Sequence, residues 1–547
     1  MKKLLIVCMY VSALFAFGER NMNADDTKKI KLEIKDGCYF INGQKFFVNA
    51  LGYEIGARPG QNPKQNRKPE LQRMKKDLEV IKNAGFNTIR TWDVLYKDEL
   101  ELVQRTGLKV IFGIETKSTG DFSDPVFVEK TIQKVDSALA YSKDFDCIIT
   151  YLIMNEPMPD HINKVGGKAT LELWQKIITI IHAKHPGVPV TISGNSAITE
   201  WLNMNIFDIY SYNAYDYGNG INYALNGKNA FEFLKDMNKQ NKPLIFTEFG
   251  LSVSEAGNGK YGTNTLMGQK DGLVQSYRDL LDAGAAGCCP FYYADGWWKG
   301  GEPSVHNNAV EEWFGFWGYS DLKDTVGYPR PVWYALKTYN EALISSPKNQ
   351  TFYQNIVPIE VFAQSDVVKM RIIFHDKVIY ENKSVKSGYF ADKLSFAGDT
   401  LTDRELVFEF YDKQDKLLKY ETIILLTGKD PIHWPTLAIS SNVKDLNEGK
   451  NLSVTLNLKN DSIFKLANDV RYIFQPHLGW EPGEGKTVKT DTKKKDQAFD
   501  LTYEIPDKSI VLGIYAAIEV KYGKFVKTFY DEKYIFRGDW ADLVRVK

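Results

Sequence analysis

The 547-residue chain has no excess of either charge: 69 Lys and Arg balance 69 Asp and Glu. It has no long basic run either, which argues against nucleic acid and anionic membrane surfaces as partners. Cysteine is scarce, five in all. The spacing of Cys38, Cys147, Cys288 and Cys289 fits neither a disulfide framework nor a zinc pattern. Cys147 and Cys288 therefore read as small buried apolar residues. Past the N-terminus no apolar run approaches the roughly 20 residues that a membrane span needs. Internal repeats and low-complexity linkers are missing too.

What is present is ordinary globular material. Hydrophobic residues make up 44% and charged residues 25%, enough apolar surface for a sizeable core. The length suggests more than one domain. Met1-Lys2-Lys3, the apolar run Leu4 to Phe17 and the small-x-small site Ala16-Phe17-Gly18 predict a secretory signal peptide over residues 1–18. The mature protein is then expected outside the cytoplasm, periplasmic or secreted. Cys8 sits too early in the apolar run to serve as a lipidation site.

Short apolar strands alternate with amphipathic helices over residues 30–345. Eight strands are expected: Lys45–Tyr53, Asn87–Asp93, Lys109–Glu115, Ile148–Glu156, Pro189–Asn195, Phe207–Tyr215, Pro243–Gly250 and Ala286–Tyr293. Helical periodicity links Leu71, Met74, Leu78 and Ile81, with Gly85 as a stop. It also links Val128, Ile132, Val135 and Leu139; Leu171, Trp174, Ile178 and Ile181; and Leu273, Tyr277 and Leu280. Eight βα units of this length predict an α/β fold, a (β/α)8 barrel. Cys38–Gly43, with its Asn42-Gly43 turn, reads as a hairpin before it. From about residue 350 the helical period gives way to alternating strands, with a break at Lys429-Asp430-Pro431. Two C-terminal β-sandwich domains are expected, over 352–430 and 432–547.

Barrel enzymes work at the C-terminal ends of their strands. The fourth expected strand ends in Asn155-Glu156-Pro157, and the seventh delivers Glu248 just before Phe249-Gly250. Two carboxylates facing across one cleft can cleave an acetal. In that reading Glu248 attacks the anomeric carbon, while Glu156 protonates the leaving oxygen and then deprotonates water. The chemistry requires Glu248 ionised, with Arg90 and Tyr215 as its donors, and Glu156 protonated by burial and by the charge opposite. A carboxyl separation of about 5–5.5 Å would imply retention of configuration. Either glutamate, taken alone, reads equally well as half of a structural ion pair.

The barrel region resembles clan A glycoside hydrolases, which carry their two acids on strands four and seven. Phe40-Ile41-Asn42-Gly43-Gln44-Lys45-Phe46-Phe47-Val48-Asn49-Ala50, Gly85-Phe86-Asn87-Thr88-Ile89-Arg90 and Asp208-Ile209-Tyr210-Ser211-Tyr212-Asn213-Ala214-Tyr215 are similar to family 2. Family 5 typically has histidine where Asn213 stands. Strands two, six and seven also resemble β-1,3-glucanosyltransferases. The resemblance implies that Asn155 bonds the sugar 2-hydroxyl, Glu156 is the acid/base and Glu248 the nucleophile, steadied by Arg90 and Tyr215. It also implies an aromatic floor after strand eight, Trp297 or Trp298, with Trp92, Asp93 and Asn213 as further substrate-side positions. Family 2 enzymes usually carry sandwiches before the barrel; here they follow it.

The expectation is a retaining hydrolase of a β-linked glycan, with β-glucan favoured over β-mannan, that needs no metal or organic cofactor. A transglycosylase using the same residues and a non-catalytic glycan-binding protein remain alternatives. A Schiff-base aldolase fits poorly, because Lys109 starts its strand at the opposite rim.

Overall fold

The computed structural model describes residues 30–65, 67, 70–195, 204–215, 241–256, 265–461, 463–476, 486–491, 493–507 and 509–538. The expected leader, residues 1–18, lies outside them.

The described chain opens with a three-stranded antiparallel sheet, β1 (Leu32–Lys35), β2 (Cys38–Ile41) and β3 (Gln44–Phe46). The expected hairpin is its second half. Asn42 (φ 52°) and Gly43 (φ 79°) form the two-residue turn, where both positions need left-handed backbone. The sheet inserts Tyr39 among the residues that fill the barrel interior, where its hydroxyl pairs with Thr150 Oγ1 at 2.7 Å.

All eight expected barrel strands form, most of them shorter than their apolar runs. They are β4 (Val48–Gly52), β5 (Thr88–Arg90), β6 (Lys109–Gly113), β7 (Ile148–Asn155), β8 (Val190–Asn195), β9 (Tyr210–Asn213), β10 (Leu244–Glu248) and β11 (Gly287–Cys288). Neighbours in sequence pair in parallel, and β11 closes on β4 through Gly287 and Val48. That closure needs glycine, since a Cβ on Gly287 would stand 2.6 Å from the Val48 Cβ. The strands are apolar on both faces because both are covered. Ile111, Ile149 and Ile245 fill the interior, while Val110, Phe112, Ile148, Leu244 and Phe246 face the helical layer.

Among the described residues the helices are α1 (Leu71–Asn83), α2 (Lys97–Thr106), α3 (Pro125–Ser142), α4 (Pro159–Val165), α5 (Gly167–Lys184), α6 (Leu266–Ala283) and α7 (Pro331–Tyr339). Their stops follow backbone chemistry: Gly107 and Gly284 take left-handed conformations after α2 and α6. In α1 the expected apolar face is buried at Met74, Leu78 and Ile81, while Leu71 is exposed at the first turn.

Beyond α7 the architecture is all β. A three-stranded and a five-stranded sheet enclose a core that includes Ile344, Ile359, Ile372, Phe408 and Ile423. A three-stranded and a four-stranded sheet enclose a second, with Val454, Leu456, Ile514 and Ile518. The strand Ala342–Ser346, inside the span expected to end the barrel, pairs with Ile356–Ala363 and so belongs to the first of these sandwiches. The exposed turn at Lys493-Lys494-Lys495 is solvated.

A buried ion cluster joins this sandwich to the barrel. Arg278 on α6 donates to Glu421 Oε1 (3.0 Å) and to Asp282, Tyr339 of α7 donates to the same Glu421 oxygen (3.0 Å), and Lys419 pairs with Glu421 Oε2 at 2.9 Å. Burial opposes ionisation of Glu421, but Lys419 and Arg278 outweigh it and hold the carboxyl down at about 2, from an ordinary 4.5. Its contribution is therefore complete above the ordinary value and lost as pH falls from there towards 2. Glu421→Gln, which takes the counter-charge from buried Lys419 and leaves Arg278 with Asp282 alone, should cost about 3–5 kcal/mol at pH 7 in urea denaturation. That deficit should shrink as both proteins are acidified.

Candidate active site

The polar residues of the barrel mouth converge on one buried guanidinium. Arg90, the last residue of β5, has no exposed surface. Its Nη1 donates to Glu248 Oε1 at 2.6 Å, and its Nη2 donates to Asn155 Oδ1 at 2.6 Å and Ser193 Oγ at 3.3 Å. Glu248, the last residue of β10, receives two further donors: Trp92 Nε1 on Oε1 (2.8 Å) and the Tyr215 hydroxyl on Oε2 (2.9 Å). An ionised carboxylate is an acceptor only, and three donors on it match that state.

Glu156 is built differently. Consecutive strand residues alternate faces, so Asn155 and Glu156 would point opposite ways in a regular β7. Glu156 instead takes φ 43°, in the left-handed region, and Pro157 follows, so the strand ends there. Its backbone N–H still bonds Ser193 O at 2.8 Å. Asn213 Nδ2 donates to Glu156 Oε1 at 2.9 Å and to Asn155 Oδ1 at 3.2 Å, while Thr247 Oγ1 donates to Asn213 Oδ1 at 2.9 Å and orients the amide. Burial first, and then the charge of Glu248, push the Glu156 carboxyl from 4.5 up to about 7, against the smaller opposing effects of Asn213 and Arg90. The two acids thus differ in solvation and in donors.

The mouth therefore gathers Glu156, Glu248, Arg90, Asn155, Asn213, Tyr215 and Trp92. Trp92, expected on the substrate side, grips Glu248 through its indole N–H and stacks under Arg90, whose guanidinium carbon lies 3.9 Å from the ring centroid. Asp93 turns outward to Lys134 (3.5 Å). The expectation for Trp297 is corrected. It is only 5% exposed and stacks on His306 (centroids 4.7 Å), which stacks in turn on Trp313 (3.7 Å). No open face is left for a sugar ring. Trp298 stays half-buried at the rim, donating to Glu54 Oε2 at 3.0 Å. The aromatic wall beside Glu248 is instead Phe291, Tyr292 and Phe314, packed on Trp92 and Tyr215. Phe291 and Tyr292 lie at the end of the eighth apolar run, the position that singled out the two glutamates on their own strands. Among the described residues no group of three or more His, Cys, Asp and Glu is placed to hold a metal ion.

Residues 32–282 match the family model "Glycosyl hydrolases family 2, TIM barrel domain". A β-galactosidase of Vibrio cholerae is 25% identical over 135 residues, 23% of this chain and 12% of the relative. A 1,3-beta-glucanosyltransferase of Schizosaccharomyces pombe is 20% identical over 275 residues, 46% of this chain and 58% of the relative. The chain thus covers less than two thirds of either relative's length. Among solved structures, a β-glucuronidase of Parabacteroides merdae superposes with a TM-score of 0.46 at 13% identity, over 92% of this chain and 64% of that one. The resemblance carried by the strand motifs is matched, for the barrel, by the family model.

Because the folded value of Glu156 is raised, its ionisation costs stability as pH climbs from the ordinary value through about 7. Glu156→Gln should therefore be more stable than the parent at pH 8, by about 1–2 kcal/mol after allowance for partial exposure. At pH 4, where Glu156 is already neutral, the two should melt alike in paired scans.

Proposed function

Starting from a barrel that matches the family 2 type, we propose that the protein hydrolyses a β-linked glycan with retention of configuration. The observation that supports this is the contrast between its two mouth carboxyls: Glu248 under three donors, Glu156 pushed up to about 7. In the first step a Glu248 oxygen attacks the anomeric carbon as the glycosidic bond breaks, and Glu156 gives its proton to the leaving oxygen. The sugar is left as an ester on Glu248. In the second step Glu156, now ionised, takes a proton from water, whose oxygen displaces Glu248 and restores both groups. Arg90, Trp92 and Tyr215 steady Glu248 through the cycle, and Asn155, held by Arg90 and Asn213, is the donor for the sugar 2-hydroxyl.

A β-glucan is the favoured substrate, with β-mannan second. The similarity to a glucanosyltransferase supports the variant in which a second sugar, in place of water, accepts the glycosyl group. We also propose that residues 1–18 direct export. The trailing sandwiches brace the barrel, a reading supported by the Arg278–Glu421–Lys419 cluster.

Reducing-sugar release from β-1,3-, β-1,4- and mixed-linkage glucans, mannans and galactans should appear on one polymer class. Glu248→Ala should lower that rate by about a thousandfold or more with its melting transition retained. Proton NMR of the first product should show the β anomer. Near-parental turnover by Glu248→Ala would remove it as nucleophile, and an α product would exclude retention. The rate should fall as pH rises through about 7, where Glu156 loses the proton it must give to the leaving oxygen.

A further inference from the structure

Lys299, in the loop after β11, stands at the cleft mouth with only 16% of its side chain exposed. Three rings surround its ammonium: Trp298 at 4.8 Å, Phe291 at 5.0 Å and Tyr292 at 5.7 Å to the centroids. Phe291 packs against both Trp92 and Tyr215, the two aromatic residues that donate to Glu248, so the ammonium is one ring away from that carboxylate's grip. Among the described residues its single ionic partner is Glu311 at 3.7 Å, beyond hydrogen-bond length. Glu311 is 64% exposed and follows Val310, which packs on the same aromatic wall.

As a stabilising device the pair is poor. A long pair with an exposed partner contributes little to stability, and the rings add only a modest attraction. Against this stand the ordering of a four-carbon side chain and the partial desolvation of an ammonium with no close acceptor. The three N–H donors of Lys299 and the acceptor oxygens of Glu311 are instead placed for something at the mouth. A sugar hydroxyl both accepts and donates, so neighbouring hydroxyls can satisfy the two side chains together without adding charge. A sugar carboxylate can satisfy Lys299 but offers nothing to Glu311, and it brings a further negative charge towards Glu311 and Glu248.

We propose that Lys299 and Glu311 form a specificity element that selects a neutral glycosyl unit, Lys299 donating to one of its hydroxyls and Glu311 accepting from another. This rests on the glycoside hydrolase reading and names the charge class of its substrate. It is consistent with the electrostatics of Glu156, on which Glu311 exerts a small upward push after those of burial and Glu248.

The test uses the full chain and the polymer of the panel that the parent protein cleaves best, beside the same polymer oxidised at C6 to carry carboxylates. The parent should prefer the neutral form by about tenfold or more in kcat/KM. Lys299→Met, with an unchanged melting temperature, should raise KM on the neutral polymer by about 10- to 100-fold, the loss of a charged hydrogen bond, with a smaller change in kcat. Glu311→Gln, on a side chain exposed enough not to disturb folding, should narrow the neutral-to-oxidised ratio by about tenfold. An unchanged KM in Lys299→Met, a parent preference for the oxidised polymer, or an unaltered ratio in Glu311→Gln would overturn the proposal and leave the hydrolase reading intact. Failure of the parent to cleave any polymer would overturn both.

Discussion

Arg90 has no exposed surface, and the positions of the mouth residues follow from satisfying it. A guanidinium this deeply buried must be paired, because leaving the charge uncompensated would cost several kcal/mol. Glu248 supplies the pairing charge from across the barrel, and Asn155 and Ser193 take further N–H groups. Each is then held by the next shell: Asn155 by Asn213, Asn213 by Thr247, and Thr247 by Ser193. The chain of bonds runs through the ends of β5, β7, β8, β9 and β10, so the closed barrel and the polar mouth depend on each other. An open sheet would not bring β5 and β10 to opposite sides of one guanidinium.

The same arrangement separates the two carboxyls chemically. Glu248 spends its lone pairs on donors, whereas Glu156 has one amide donor and the field of Glu248 against it. The left-handed backbone at Glu156 is part of this difference: it turns the residue after Asn155 to the mouth instead of letting it alternate to the helical layer. Such a conformation persists only where surrounding contacts hold it, and here the N–H bond to Ser193 O and Pro157 do so.

The loop after β11 is governed by aromatic packing. His306 is sandwiched between Trp297 and Trp313, and burial pushes its imidazole down to about 4, so it fills that stack as a neutral ring. Asp295 and Arg330 pair in the same buried region and fasten the loop to the segment before α7. With Trp297 consumed in this way, the side chains left at the mouth are Trp298, Lys299 and the Phe291–Tyr292 wall. The burial of Trp297 was not legible because it depends on partners that arrive later in the chain, and a loop has no period to announce them.

Local pattern was enough for the architecture and for both acids. Runs such as Ile148–Asn155 and Leu244–Glu248 are apolar but for one threonine each until the last residue, which marks a buried parallel strand with a polar end, and the 3.6-residue period marks the helices between. Arg90, Asn155 and Tyr215 were legible for the same reason, each standing at or just past a strand end, whereas Asn213 came from the family resemblance. The role of Trp92 was not, because its indole N–H meets Glu248 across space and nothing in its neighbours records that. Nor was the extra strand β1, whose partners are set by Tyr39 filling the barrel interior. By itself the sequence determined which segments are strands and helices and which polar side chains reach the rim, since burial patterns are written residue by residue. Only the tertiary structure decided which rings have a free face and which cation stands at the mouth, because stacking and Coulomb fields depend on what lies opposite in space.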